Sequence, residues 1–146
     1  MIQVVDNRVE FYDDLFRLHQ RFLPLNDQMT KASFYDEFEQ NTRKYFVAID
    51  DKDMPVGYIG LFDCDDDYNI IGIVVDEEYQ RQGIGSNLLQ KAIVFAIESD
   101  KKSLSLEVDE SNKKAISFYQ KYAFVEVSRR KNYYKTSDAI IMFRYL

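Results

Sequence analysis

Between Tyr68 and Ile97 the hydrophobic period changes once, and that change constrains the fold more than any other stretch of the chain. Y-N-I-I-G-I-V-V, ending at Val75, reads as a strand. From Gly85 onward Leu88, Leu89, Ala92, Ile93, Ala96 and Ile97 recur with the stride of an amphipathic helix. Between the two lies D-E-E-Y-Q-R-Q-G-I-G-S, a polar loop with two glycines that leads into a helix N-terminus. Such a junction collects backbone N–H groups that lack intrahelical partners and adds the positive end of the helix dipole. Glycine removes the Cβ that would keep an anion away, so the geometry suits phosphate. A plain strand-to-helix turn shares the outline, and the loop taken alone leaves both readings open.

Two nucleotide-binding motifs fail at this loop. A Walker loop requires Lys and then Ser or Thr after its last glycine, but Gly85 is followed by Ser86 and Asn87. A dinucleotide fingerprint requires its first glycine close behind the strand and a third glycine three residues after the second. Here residues 76–82 precede Gly83, and Leu88 holds the third position.

The flanking sequence predicts a mixed α/β protein. Residues 2–5 read as a short strand, Val9 to Phe22 as a helix with Leu15, Leu18, His19 and Phe22 on one face and Pro24 as its stop, and Thr30 to Glu39 as a second helix presenting Phe34, Tyr35 and Phe38. Tyr45 to Ile49, Val56 to Phe62 and the run to Val75 form an antiparallel meander. The acidic cluster Asp63, Asp65, Asp66 and Asp67 lacks the glycine and closing glutamate of a calcium loop and reads as a hairpin turn. Leu104 to Val108 is a strand, Ser111 or Asn112 caps a helix carrying Ala115, Ile116, Tyr119 and Tyr122, and Phe124 to Val127 and Ala139 to Tyr145 are closing strands. With 146 residues the expectation is a single domain over 1–146.

Composition narrows the function classes. One cysteine, Cys64, and one histidine, His19, exclude an internal disulfide and a Cys/His zinc site. A net charge of −6 opposes generic binding to nucleic acid or an anionic membrane and favours a cationic partner. No apolar run approaches the roughly 20 residues of a membrane span, and the N-terminus lacks the pattern of a secretory signal. The expected location is cytoplasmic.

Q-R-Q-G-I-G (Gln80 to Gly85) is the Q/R-x-x-G-x-G/A signature of the GNAT superfamily of acyl-CoA-dependent N-acyltransferases, and the resemblance runs on. L-E-V-D-E-S-N-K-K-A-I-S-F-Y (Leu106 to Tyr119), the following K-Y-A-F, R-R-K-N-Y-Y (Arg129 to Tyr134) and D-A-I-I-M (Asp138 to Met142) are similar to RimI-like ribosomal-protein alanine N-acetyltransferases. The likeness is continuous from about Tyr45 to Met142 and weak over the first 44 residues. It implies a mixed, mostly antiparallel central sheet flanked by helices on both faces, with acetyl-CoA as cosubstrate. The implied contacts to that cosubstrate are the backbone of Ile73, Val74 and Val75 along the pantetheine arm, the loop Arg81, Gln82, Gly83, Ile84, Gly85 and Ser86 at the pyrophosphate, and Asn112. The implied general base is Glu107 and the general acid Tyr119, and the implied acceptor is the N-terminal α-amino group of a protein.

These residue types suit direct transfer. An α-amino group, with an ordinary pKa of about 8, is easier to neutralise than a lysine at about 10.4, so a carboxylate acting through water suffices. The leaving thiolate, resembling cysteine at about 8.5, takes a proton from a phenol. A backbone N–H near Val74 would meet the oxyanion. On periodicity alone Glu107 is a solvated strand residue and Tyr119 a core aromatic; the motif is what assigns them roles. Cys64, among acidic neighbours, is a poor nucleophile, and His19 reads as a helix-face residue. The trio Arg129 to Lys131 with Tyr133 and Tyr134 reads as a solvated hairpin or as the border of an acceptor groove. Two departures stand out. Ala123 occupies a position where the family has glycine, and P-L-N-D (Pro24 to Asp27) stands where it carries Pro-Trp, in a chain with no tryptophan. Acetylation of a small amine, such as a polyamine or aminoglycoside, and a non-catalytic acyl-CoA-binding module are the alternatives, and the protein is expected as a monomer or homodimer.

Overall fold

The computed structural model describes residues 1–22, 29–134 and 136–146, and of residue 22 the backbone alone. The expected helix stop at Pro24 and the segment Pro24 to Asp27 lie outside the described residues. In chain order the elements are β1 (Gln3–Asp6), a 3-10 turn (Val9–Phe11), α1 (Tyr12–Phe22), α2 (Lys31–Glu39), β2 (Arg43–Ile49), β3 (Pro55–Cys64), β4 (Asp67–Val75), a second 3-10 turn (Glu77–Tyr79), α3 (Ile84–Glu98), β5 (Ser103–Asp109), α4 (Lys113–Gln120), β6 (Val125–Arg130) and β7 (Ala139–Tyr145). The strands form one seven-stranded sheet in the order β1-β2-β3-β4-β5-β7-β6. β4 and β5 run parallel, whereas β1–β2, β2–β3, β5–β7 and β6–β7 are antiparallel. This is the mixed, mostly antiparallel arrangement expected from the sequence.

Two compact units can be distinguished along the chain, Met1–Asp63 with Ile70–Phe95, and Cys64–Asn69 with Ala96–Leu146. In the first unit β2 is buried on both sides, which explains its unbroken apolar run. Tyr45, Val47 and Ile49 pack with Phe11, Leu15, Leu18, Phe34, Tyr58 and Val74, while Phe46 meets Phe95 of α3 edge-on at 5.3 Å. The Thr30 hydroxyl caps α2 by accepting from the Ser33 N–H. His19 is buried as its helical face requires, and its Nε2 accepts the Met29 N–H at 3.0 Å. Burial holds its pKa below the ordinary histidine value against the opposing pull of Glu37.

The helical stripe of α3 is buried at Leu88, Leu89, Ala92, Ile93 and Ala96, but Ile97 is 54% exposed. Four residues overshoot one helical turn by about 40°, and Ile93 already stands at the edge of the buried face, so the next position along that row turns outward. In the second unit Leu104, Leu106, Val108, Phe124, Ile140 and Met142 are among the buried residues. Of the acidic cluster Asp65 and Asp66 form the β3–β4 turn, with Asp65 left-handed at φ 63°, while Asp63 and Asp67 lie in the adjoining strands. Ser105, on the face of β5 opposite the leucines, is buried because its hydroxyl donates to Asp67 Oδ2 at 2.5 Å and accepts from Asn69 Nδ2 at 3.1 Å.

Candidate active site

In the first unit the expected contacts lie on one continuous strand, turn and helix. The ladder between β4 and β5 covers only Asp67–Asn69 and Ser103–Ser105, so β4 continues through Ile73, Val74 and Val75 past its end. Val74 buries its side chain in the core. Gly57 on β3 holds this segment close, since a Cβ there would stand 2.8 Å from the Val74 carbonyl oxygen. After Val75 the chain turns through Glu77–Tyr79, which the polar composition of the loop did not reveal. Asp76 caps that turn by accepting from the Glu78 N–H at 3.2 Å. Gln80 Nε2 then donates to the Val75 carbonyl at 3.1 Å, tying the loop back to the strand.

The next residues bend the backbone sharply. Arg81 and Gly83 adopt positive φ, 65° and 79°. Left-handed residues within a short loop turn successive N–H groups toward one side, the geometry of an anion nest. A non-glycine residue held there is a strain outlier of the kind that collects at binding sites. Asn87 makes the first bond of α3 to the Gly83 carbonyl at 3.0 Å, so Ile84, Gly85 and Ser86 occupy the first turn, whose N–H groups have no acceptor within the helix. That turn carries no acidic residue. Among the described residues, chain neighbours aside, nothing lies within 4 Å of where a Gly83 Cβ would stand. Open space, a nest and a helix N-terminus suit the diphosphate of coenzyme A.

In the second unit Glu107, Asn112 and Tyr119 follow one another on β5, at the start of α4 and near its end. Glu107 is the exposed position in an otherwise buried stretch of strand, and its Oε1 lies 3.3 Å from Arg130 Nη2. Asn112 is the helix cap, its Oδ1 accepting the Ala115 N–H at 3.1 Å. Tyr119 packs between Phe118 and Phe124, with ring centroids at 5.2 and 5.4 Å. These apolar surroundings push its hydroxyl pKa up to about 12 by desolvation.

The end of α4 explains the alanine that departs from the family pattern. The Phe124 N–H donates to the Tyr119 carbonyl at 3.2 Å and the Ala123 N–H to the Gln120 carbonyl at 3.1 Å. These are the two bonds of a Schellman cap, and they place Ala123 at the left-handed position, φ 66°, that glycine usually fills. The accompanying apolar contact is the one between Phe124 and Tyr119, so the helix stop and the phenol share a fixture.

Gly57 went unnoticed in the sequence, although it carried the ordinary signal of a glycine inside a strand. Arg130 was read only within the trio Arg129 to Lys131, as hairpin or groove border; its pairing with Glu107 carried no signal, because it depends on which face of β6 the arginine takes. Cys64 is exposed at the hairpin and His19 is packed under α2.

Residues 10–124 match the acetyltransferase (GNAT) family model. The chain is 36% identical over 116 residues to the "Putative [ribosomal protein bS18]-alanine N-acetyltransferase" of Bacillus subtilis, covering 78% of this chain and 77% of that one. It is 42% identical over 81 residues to the ribosomal protein bS18-alanine N-acetyltransferase of Escherichia coli, covering 53% of this chain and only about half, 55%, of that relative. The crystal structure of the Escherichia coli ribosomal-protein-S18-alanine N-acetyltransferase superposes with a TM-score of 0.87 over 99% of this chain and 94% of that one, at 25% identity.

Proposed function

The chain belongs to the acetyltransferase (GNAT) family, whose members use acetyl-CoA, and from that premise we propose that it acetylates the N-terminal α-amino group of a protein, of the ribosomal-protein type its relatives modify. The observation that carries this reading is the 36% identity to a bS18-alanine N-acetyltransferase over 78% of the chain. Among the described residues no helix is long and apolar enough to cross a membrane, and we place the reaction in the cytoplasm, within one domain spanning 1–146.

When bound, acetyl-CoA supplies an activated thioester. The amides of Arg81 to Ser86 take its diphosphate, and the β4 backbone at Ile73, Val74 and Val75 takes its extended arm as an added strand would be taken. Gly83 gives the diphosphate room that any side chain would fill. Asn112 keeps its side-chain oxygen for the Ala115 N–H, so its amide Nδ2 is the group available to the cosubstrate.

Glu107 receives the proton of the attacking amine through a water. An α-amino group near pKa 8 needs little help, so the carboxylate carries a modest share of the rate. Tyr119 gives its proton toward the departing sulfur. With a pKa of about 12 it is a neutral donor throughout the physiological range. The same elevation disfavours complete transfer to a thiolate near pKa 8.5, so a hydrogen bond to the developing negative charge is the larger part of its contribution.

Purified protein incubated with acetyl-CoA and a panel of amines tests the reading. Peptides bearing ribosomal-protein N-termini should release free thiol and gain an acetyl group at the α-nitrogen by mass spectrometry. Polyamines, aminoglycosides and peptides whose only free amine is a lysine should release little. Preferential turnover of a small amine would move the protein to another acceptor class, and thiol release with no amine tested would reduce it to an acyl-CoA-binding module.

A further inference from the structure

β6 ends in adjacent arginines, and strand alternation sends them to opposite faces of the sheet. Arg129 pairs across to Ile140 and Arg130 to Ala139. On its face Arg129 reaches Glu126 at 3.1 Å, Glu110 at 3.0 Å and Asp138 at 3.7 Å. Glu110 Oε1 also accepts the Asp138 N–H at 3.2 Å, and the Glu110 N–H donates to the Asp138 carbonyl at 3.0 Å. The base of the β6–β7 connection is therefore fixed to the end of β5 by several bonds, which sets the position from which Arg130 extends on the other face.

On that other face the Arg130 guanidinium stands between two groups. One is Glu107 Oε1 at 3.3 Å, and the other is the ring of Tyr133, whose centroid lies 5.7 Å away. An isolated exposed ion pair contributes little to stability, yet this one engages a single oxygen of the carboxylate read above as the proton acceptor. With Oε1 at the guanidinium, the Glu107 side chain is restricted in direction, which would leave Oε2 as the oxygen available to a relaying water.

We infer that Arg130 is a positioning residue of the acetyl transfer, anchoring Glu107 through Oε1 against Tyr133 so that Oε2 faces the water that relays the proton of the amine. The inference rests on the reading of Glu107 as base. A carboxylate free to rotate among its side-chain conformers would spend only part of its time in the productive one.

The test compares wild type with Arg130→Gln, Arg130→Lys, Glu107→Gln and the double variant Glu107→Gln/Arg130→Gln, using the full chain, acetyl-CoA and an N-terminal peptide. Arg130→Gln should lower kcat about five- to tenfold, with Arg130→Lys recovering at least about half of the loss, as expected for contacting groups that work as a unit. The acetyl-CoA Kd and the melting temperature should stay at their wild-type values. In the Glu107→Gln background the same Arg130 change should cost less than about twofold. Wild-type kcat in Arg130→Gln, or an undiminished loss in the double variant, overturns the inference while leaving Glu107 as base. Wild-type kcat in Glu107→Gln removes the base itself, and the inference with it.

Discussion

Along residues 73–86 the groups that would meet a ligand belong to the backbone, whereas along 107–119 they are side chains: a carboxylate, an amide and a phenol. The first stretch works through conformation. Two positive φ values and one missing Cβ create the nest, and Ile84, whose side chain is buried in the core, anchors the start of the helix beneath it. The second works through single atoms held at the ends of side chains, each with its own support: Arg130 for Glu107, the helix turn for Asn112, Phe118 and Phe124 for Tyr119. Damage to the two should therefore differ in kind, the first losing affinity for acetyl-CoA and the second losing turnover.

The largest expected effect belongs to the side-chain region. Tyr119→Phe keeps both aromatic contacts and removes only the hydroxyl, so it should lower kcat by roughly 10²-fold while acetyl-CoA affinity stays within about twofold. Wild-type turnover in this variant would end the assignment of the donor. The pH profile adds an independent measurement. As the proposed donor Tyr119 would act in its protonated form, and burial pushes its pKa up to about 12. The rate should therefore rise as the acceptor amine deprotonates through about pH 8 and show no alkaline fall up to about pH 10. A descending limb centred near pH 9 in kcat would mean that a different acid is at work.

Gly83→Val is the matching change in the backbone region, with a smaller expected effect. Among the described residues, chain neighbours aside, nothing lies within 4 Å of where the new Cβ would stand, so the cost to the fold is the backbone strain of a β-branched residue at φ 79°, on the order of 1–3 kcal/mol. Acetyl-CoA affinity should fall about thirtyfold, close to 2 kcal/mol, by calorimetry. If instead binding were intact and kcat fell, the contrast between the two regions would be misdrawn.

What the sequence revealed follows the same division. The strand, loop and helix of the backbone region were legible because glycine spacing, a strand before and a helix after are one-dimensional signals, and the loop Arg81 to Ser86 lies between β4 and α3 as expected. The 3-10 turn at Glu77–Tyr79 was not legible, since a run of polar residues has no period to read. Glu107 and Tyr119 required the family resemblance, because alternation makes one a surface residue and helical stride makes the other a core residue. The Arg130–Glu107 contact lay further out of reach. It joins positions on two strands separated in the sheet by β7, and only the register places them on one face. Ile97 failed for a simpler reason, the helical stripe having been extended one step beyond the face that α3 buries.

Ala123 brings the comparison to its smallest and sharpest case, because there the side-chain region depends on backbone conformation. Its φ of 66° lies where an L residue with a Cβ is strained by about 1 kcal/mol. The Schellman bonds from Ala123 and Phe124 hold it there all the same. Ala123→Gly removes the Cβ and with it the strain, although glycine gives back part of the gain through the greater freedom of its unfolded chain. The net expectation is a stabilisation of up to about 0.6 kcal/mol, a rise in Tm of at most roughly 2 °C for a chain of this size. The bonds to Gln120 and Tyr119 are made by backbone atoms and the ring contact by Phe124, so none of them is lost. Turnover and acetyl-CoA affinity should accordingly remain at wild-type values. A gain in Tm with unchanged kcat would show that strain at the helix stop is a local cost with no role in orienting the phenol. A gain in Tm accompanied by a fall in kcat would show that Ala123 holds Tyr119 in place through the cap, and the support of the phenol would then have to be assigned to the backbone as well.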